Sequence, residues 1–120
     1  MTGPAAPGPI WIVDEVETKP GMGKAFLDAY MADYAPGNAA RGLTLVHTMI
    51  EPAMWLDDAP NRLLLIWQAD HAGAVWGAKH QARGDAAVGR WWNEQAPPFI
   101  LSRRRGTYAP ADALEALSDV

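Results

Sequence analysis

An α+β fold, with strands and helices in the order β-α-β then β-α-β, is what this sequence predicts, and three observations carry it. Four strand-like runs stand apart: Ile10-Trp11-Ile12-Val13, Leu43-Thr44-Leu45-Val46, Leu63-Leu64-Leu65-Ile66-Trp67 and Phe99-Ile100-Leu101. Helical stretches fall only after the first and the third, announced by Pro20-Gly21 and by Asp70. The first and third runs are apolar on both faces, as strands in the middle of a sheet should be. This layout is that of the ferredoxin-like βαββαβ sandwich, in which both helices cover the same side of the sheet. The other sheet face is left to a partner subunit or a ligand.

The elements follow in order. Residues 1–9 are Gly, Pro and Ala for the most part and predict a flexible leader, with neither the basic start nor the apolar run of a secretory signal. Ile10 to Glu17 alternates Ile10, Ile12, Asp14 and Val16 against Trp11, Val13, Glu15 and Glu17. The helix after Pro20-Gly21 places Met22, Phe26, Ala29, Tyr30 and Asp33 on one stripe, and Pro36-Gly37-Asn38 is expected to stop it. Leu43 to Glu51 alternates Leu43, Leu45, His47 and Met49 against Thr44, Val46, Thr48 and Ile50. Glu51 to Asn61 is long for a hairpin and reads as a lid or interface arm pinned by Trp55. Arg62 to Ala69 is an interior strand. Asp70 caps a helix through Ala82, Gly84-Asp85 breaks and restarts it, and Pro97-Pro98 ends it before the last strand. The domain spans 10–109, and the tail 110–120 is weakly helical with Leu114 and Leu117 as anchors.

Bulk composition excludes several classes. The chain has 120 residues, enough for one modest core. A net charge of −4 and a single basic run, Arg103-Arg104-Arg105, argue against nucleic acid. Without cysteine there is no disulfide, thiolate metal site or cysteine nucleophile. No stretch approaches the roughly 18 apolar residues of a membrane span, so a cytoplasmic protein is expected. Six tryptophans stand out, and they suit an interface or an aromatic pocket.

The run Asn61-Arg62-Leu63-Leu64-Leu65-Ile66-Trp67-Gln68-Ala69-Asp70, a helix, and then Ala96-Pro97-Pro98-Phe99-Ile100-Leu101 resembles the dimeric α/β-barrel superfamily. The strand ending in Trp before an acidic residue is similar to the NIPSNAP-like and antibiotic-biosynthesis-monooxygenase-like branches. Lys19-Pro20-Gly21-Met22-Gly23-Lys24 is similar to that superfamily's Pro-Gly turn. The resemblance implies a homodimer whose two sheets face each other, with a cleft between sheet and helices or loops in each subunit. Members include cofactor-independent monooxygenases, cyclases, isomerases and haem-degrading enzymes. Nothing in the sequence sets Asn38 or Asn61 in a haem cleft, so haem is not carried over.

Candidate chemistry rests on few residues. His47 interrupts an apolar stripe and is expected to be buried, either as a general base or as a hydrogen-bonded core residue. Asp14 interrupts the Ile10, Ile12, Val16 face. It either pairs with Arg103 or Arg104 across the sheet or works in proton transfer, orienting His47. Tyr30 and Tyr34, four apart, can share a helix face, as can Trp76 and His80. Trp67, Trp76 and Trp91 are the expected apolar walls of a pocket. Arg104 points opposite to Arg103 and Arg105 and is the arginine expected to hold a carboxylate or enolate oxygen, while Arg103 and Arg105 read as a solvated edge. His47, His71 and His80 share no metal-ligand spacing, and Gly21-Met22-Gly23 is a helix start with no nucleotide fingerprint. The expectation is a small enzyme using no cofactor and no metal on an apolar, cyclic or aromatic small molecule. It would act by proton transfer, as an isomerase or cyclase, or by cofactor-free oxygenation. The rival is a dimer that binds a small molecule, or serves a stress response, without catalysis.

Overall fold

A computed structural model of the protein describes residues 8–112. β1 (Ile10–Thr18) is followed by α1 (Gly23–Ala29), a π-helical turn (Tyr30–Tyr34) and α2 (Ala35–Ala40). Then come β2 (Thr44–Glu51), β3 (Arg62–Ala69), α3 (Ala72–Arg83), α4 (Ala86–Arg90), a second π-helical turn (Trp91–Gln95) and β4 (Ile100–Tyr108). The strands form one sheet in the order β2-β3-β1-β4, every neighbouring pair antiparallel. This is the expected ferredoxin-like α+β arrangement. Most of the expected leader and tail lie outside the described residues, and no helix among those described is long and apolar enough to cross a membrane.

Strand periodicity sorts the core. Ile10, Ile12, Asp14, Val16 and Thr18 of β1 and Leu63, Leu65, Trp67 and Ala69 of β3 are buried on the face that meets Phe26, Tyr30, Tyr34, Val75, Ala78 and Trp91 from the helices. Each fully buried large apolar side chain contributes about 1.5–3 kcal/mol. The alternate residues Trp11, Val13, Leu64 and Ile66 lie on the opposite face, half-buried, with Met49 and Tyr108 exposed beside them.

Three local readings are corrected. The first helix does not stop at Pro36-Gly37 but runs on to Ala40, ending where Gly42 takes φ +94°. Pro36 has no N–H, and its ring crowds the carbonyl four residues back. The turn before it widens, so that the Ala35 N–H bonds to the Tyr30 carbonyl, five residues back. The wider turn carries Tyr34 into the core and leaves Asp33 exposed, against the stripe expected from a 3.6-residue period. The second half repeats the device: the Ala96 N–H bonds to the Trp91 carbonyl at 2.7 Å, just before Pro97-Pro98. At the start of α3 the cap is His71, whose Nδ1 accepts from the Ala74 N–H at 3.2 Å, while Asp70 is exposed. Asp85 caps α4 as expected of a restart.

The third correction lies in β2. Leu45 pairs with Trp67, but the next pair is His47 with Ile66, so one extra residue is inserted between them. Such a bulge moves every later side chain to the other face. Leu45 faces the helices, His47 and Met49 face away from them, and Ile50 opposite Leu63 is back on the helix side.

The 52–61 loop is tied to its own sheet. Asn61 Oδ1 accepts from the Leu56 N–H at 3.0 Å, and Nδ2 donates to the carbonyls of Met54 (2.9 Å) and Glu51 (3.3 Å). Its backbone is clamped by Thr18, whose Oγ1 accepts from the Asn61 N–H at 3.1 Å and whose N–H donates to the Asn61 carbonyl at 2.9 Å. Trp55 is half-buried against the core, closing over Gly23, where a Cβ would sit 3.0 Å from its ring. Gly21 has φ +74°, and a side chain there would run into the Asp57 carbonyl. The Pro-Gly turn is thus shaped to the loop. Asn61→Ala removes all three side-chain bonds and is expected to lower the unfolding free energy by about 2–3 kcal/mol. A urea titration reading less than about 0.5 kcal/mol, the usual scale of inert surface changes, would refute this account of the loop.

Candidate functional site

The centre of the helix-covered face is a carboxylate. Asp14 sits between Ile12 and Val16 with its side chain fully buried, a position that demands compensation. β4 supplies it, because the antiparallel register sets Arg105 directly opposite Asp14. Arg105 donates from Nε to Oδ1 at 2.7 Å and from Nη2 to Oδ2 at 2.9 Å, a bidentate ion pair. The Tyr30 hydroxyl donates to Oδ2 at 2.9 Å and accepts from Trp67 Nε1 at 2.7 Å. The Tyr34 hydroxyl accepts from Arg105 Nη2 at 2.8 Å. One ion pair therefore gathers residues from β1, β3, β4 and the first π turn.

Around it stands an aromatic shell built by the two π turns. Tyr30 and Tyr34 lie 5.1 Å apart between ring centroids, Tyr34 and Trp92 5.2 Å, and Phe26 and Tyr30 5.7 Å, with Trp91 stacked on Tyr34 at 6.0 Å. These spacings suit offset and edge-on packing. Trp91 Nε1 and Trp92 Nε1 find no acceptor among the described residues. The Arg103 guanidinium lies 3.6 Å from the Trp92 ring centroid, a cation–π contact. Burial pushes the Tyr30 phenol well above the ordinary tyrosine range, and the charge of Asp14 adds to the effect. Burial opposes the charge of Arg105, but Asp14's hydrogen bonds and charge outweigh it and raise its pKa. Burial lowers that of Arg103.

Arg105 is also the inner wall of a cavity of about 310 Å³ between α2, α3, α4 and the β1–β4 side of the sheet. Arg41, Lys79 and Arg83 close it with Arg105, over an apolar lining that includes Ile12 and Ala78. Arg41 is held by the Asn38 Oδ1 at 2.5 Å and by Asp85 at 3.3 Å. Lys79 and Arg83 form no ion pair among the described residues. A second hollow of about 420 Å³ lies along the same helix, between Ile10, Val75, Trp76 and Tyr108, and Lys79 borders both. A more open hollow of about 540 Å³ beside Met31, Pro36 and Leu45 presents no ionisable group.

The structure brings together some of the expected residues and separates others. Asp14, Tyr30 and Trp67 meet in the buried network, and Trp91 stands in its aromatic shell. His47 is exposed and on the other face of the sheet, so the expected pairing with Asp14 is not formed; the bulge in β2 is the cause. Arg104 also lies on that other face, 3.7 Å from Glu15, which Arg62 holds from the other side at 3.2 Å. The arginine of the site is Arg105, read from sequence as a solvated edge residue. Trp76 is 65% exposed and lines the second hollow, not the core. His80 is exposed and is not part of the wall of either cavity. Sequence reasoning missed Arg41, Lys79, Arg83 and Arg105. The one available signal was Tyr30 and Tyr34 at i,i+4, two phenols aimed at a single polar centre.

No protein-family model matches this sequence, and no curated protein is significantly similar to it. Solved structures with the same fold do exist. A NIPSNAP family protein of unknown function from Agrobacterium tumefaciens superposes with a TM-score of 0.67 at 11% identity, over 88% of this chain and 90% of that one. A NIPSNAP domain protein from Burkholderia xenovorans gives 0.65 at 12% identity, over 85% and 94%. A candidate antibiotic biosynthesis monooxygenase from Nitrosomonas europaea gives 0.58 at 14% identity, over 89% and 93%. Each likeness is one of fold.

Asp14→Asn is expected to cost about 3–5 kcal/mol, because it strands Arg105 beside a neutral group, whereas the double change Asp14→Leu, Arg105→Leu should cost distinctly less. Chemical denaturation of both variants decides it, and equal losses would contradict the ion-pair account. The raised phenol of Tyr30 also has a pH signature. The folded protein keeps that proton where an unfolded tyrosine, with a pKa near 10, loses it. The native state then binds more protons than the unfolded one, so stability is intact below about pH 10 and falls as pH rises above it. Tyr30→Phe should make that fall shallower, and an unchanged alkaline profile would count against the assignment.

Proposed function

We propose that this protein is a cytoplasmic homodimer that binds an apolar, cyclic or aromatic small molecule in the cleft between α3 and the β1–β4 side of its sheet. The observation that supports the reading best is the cavity of about 310 Å³ whose inner wall is a guanidinium fixed by a buried carboxylate. A donor already held in place needs no reorganisation when a polar group of the ligand arrives. The size and the mixture of apolar walls with a few convergent polar groups suit a small ligand.

Catalysis without a cofactor is the second reading, and the convergence of cations favours it. Positive charge at Arg105, Lys79 and Arg83 would stabilise a substrate enolate or carbanion, the species through which an isomerase, a cyclase or a cofactor-free monooxygenase works. No carboxylate or imidazole is among the cavity's described walls. The chemistry such a site favours therefore begins from a substrate that ionises readily. Binding of 2-tetralone, an apolar bicyclic ketone with acidic C–H bonds, tests both readings. Calorimetry should show binding that Ala82→Trp, which fills the cavity, abolishes. Exchange of its α-hydrogens in deuterated buffer, faster with protein than without, would establish the catalytic reading, and binding without faster exchange would leave the binding protein. No binding to the unaltered protein up to millimolar concentration would overturn both.

The homodimer would form through the sheet face that no helix covers. Trp11, Val13, Leu64 and Ile66 are only half-buried there, Met49 is 46% exposed, and the Arg62–Glu15–Arg104 cluster offers paired charge at its rim. His47 lies on the same face and becomes an interface residue in this reading. Sedimentation velocity at micromolar concentration should give a dimer. A folded monomer across that range would sink the assignment.

A further inference from the structure

We infer that the ligand of this cleft is an amphipathic carboxylate, its head held by Arg83, Lys79 and Arg105 and its apolar body laid along α3 toward Val75 and Trp76; this rests on the binding reading above. Two features of the groove point to it. The first is uncompensated charge. Four cations wall the inner cavity in a protein whose net charge is −4. Asp85 neutralises Arg41 and Asp14 neutralises Arg105, which leaves Lys79 and Arg83 as positive groups with no acidic partner among the described residues. An anion that seats between them gains charge-assisted hydrogen bonds, and the Arg83 fork suits the two oxygens of a carboxylate.

The second feature is the apolar hollow that adjoins the cationic cavity at Lys79. Beside the cationic cavity, with Lys79 as a shared wall, lies the hollow of about 420 Å³ lined by Ile10, Val75 and Trp76, which holds no acidic side chain among its described walls. Lys79 stands between the two, its ammonium 5.1 Å from the Trp76 ring centroid. Seven helical steps separate Trp76 from Arg83, about 10 Å at about 1.5 Å each. That is the span of a two-ring aromatic acid or a medium-length alkyl acid. The exposed indole of Trp76 offers a flat face for either.

The test compares acids with their neutral twins: 2-naphthoate against naphthalene-2-methanol, and octanoate against 1-octanol, by calorimetry on the full chain. Each acid should bind at least tenfold more tightly than its alcohol. The double variant Lys79→Gln, Arg83→Gln, whose fold is checked by its thermal melt, should reduce that preference to threefold or less. Trp76→Ala should weaken acids and alcohols by a similar factor and leave the preference intact. Alcohols binding as tightly as acids, or a preference that survives the double variant, would overturn the inference while leaving the cleft as a binding site. Tenfold tighter binding of 2-naphthyl phosphate than of 2-naphthoate would overturn the choice of carboxylate. If none of the four probes binds, the binding reading falls together with this one.

Discussion

The pair formed by Asp14 and Arg105 is the constraint from which most of this architecture follows. A carboxylate on the buried face of an interior strand is tolerable only if a cation and further donors reach it. That requirement sets the alignment of β4 against β1, since a slip of one residue would turn Arg105 to the other face and strand Asp14. It also recruits Tyr30, and through Tyr30 the indole of Trp67, so that strand and helix are cross-linked by a polar chain inside an apolar layer. Buried ion pairs add little net stability, but they penalise wrong registers heavily. Here the pair acts as a key for the one alignment in which all its members are satisfied.

The two π turns are the second half of that design. Each precedes an Ala-Pro step, Ala35-Pro36 and Ala96-Pro97, and each delivers aromatic rings to the same centre. Tyr30 and Tyr34 come from one half of the fold, and Trp91 and Trp92 from the other. The rings wall off Asp14, while Arg105, with 29% of its side chain still exposed, carries the positive end of the pair to the cavity. An immobile cation at the floor of a cleft is thereby obtained from a group that would otherwise wander on an edge strand.

Much of the fold was legible because its signals are local and periodic. Arg62 to Ala69, the Gly84-Asp85 restart and the Pro-Gly turn at Gly21 were read correctly from apolar runs and turn chemistry. What was misread involved a departure from regular period. A 3.6-residue count placed Asp33 on the buried stripe, where a widened turn puts Tyr34. A strict alternation placed His47 with Leu45, where an inserted residue separates them. The site suffered most, since its key contact links residues 91 positions apart. Arg103, Arg104 and Arg105 are chemically alike, and only the pairing register, invisible in one sequence, says which of them meets Asp14. The cations of the cavity come from the end of α2, from α3 and from β4; the i,i+4 spacing of Lys79 and Arg83 puts those two on one helix face, but no spacing rule joins them to Arg41 or Arg105.

The bulge in β2 has a further consequence when it is set beside the arginines of β4. These two strands are the edges of the sheet, the places where an exposed ladder invites another chain to pair. One edge is kinked by its extra residue, and the other bears three adjacent positive side chains. Strand addition is thereby discouraged at both ends of the sheet. Growth is left to the uncovered face. In the proposed dimer, a face-to-face pair would use up that surface on both members and so would offer nothing to a third.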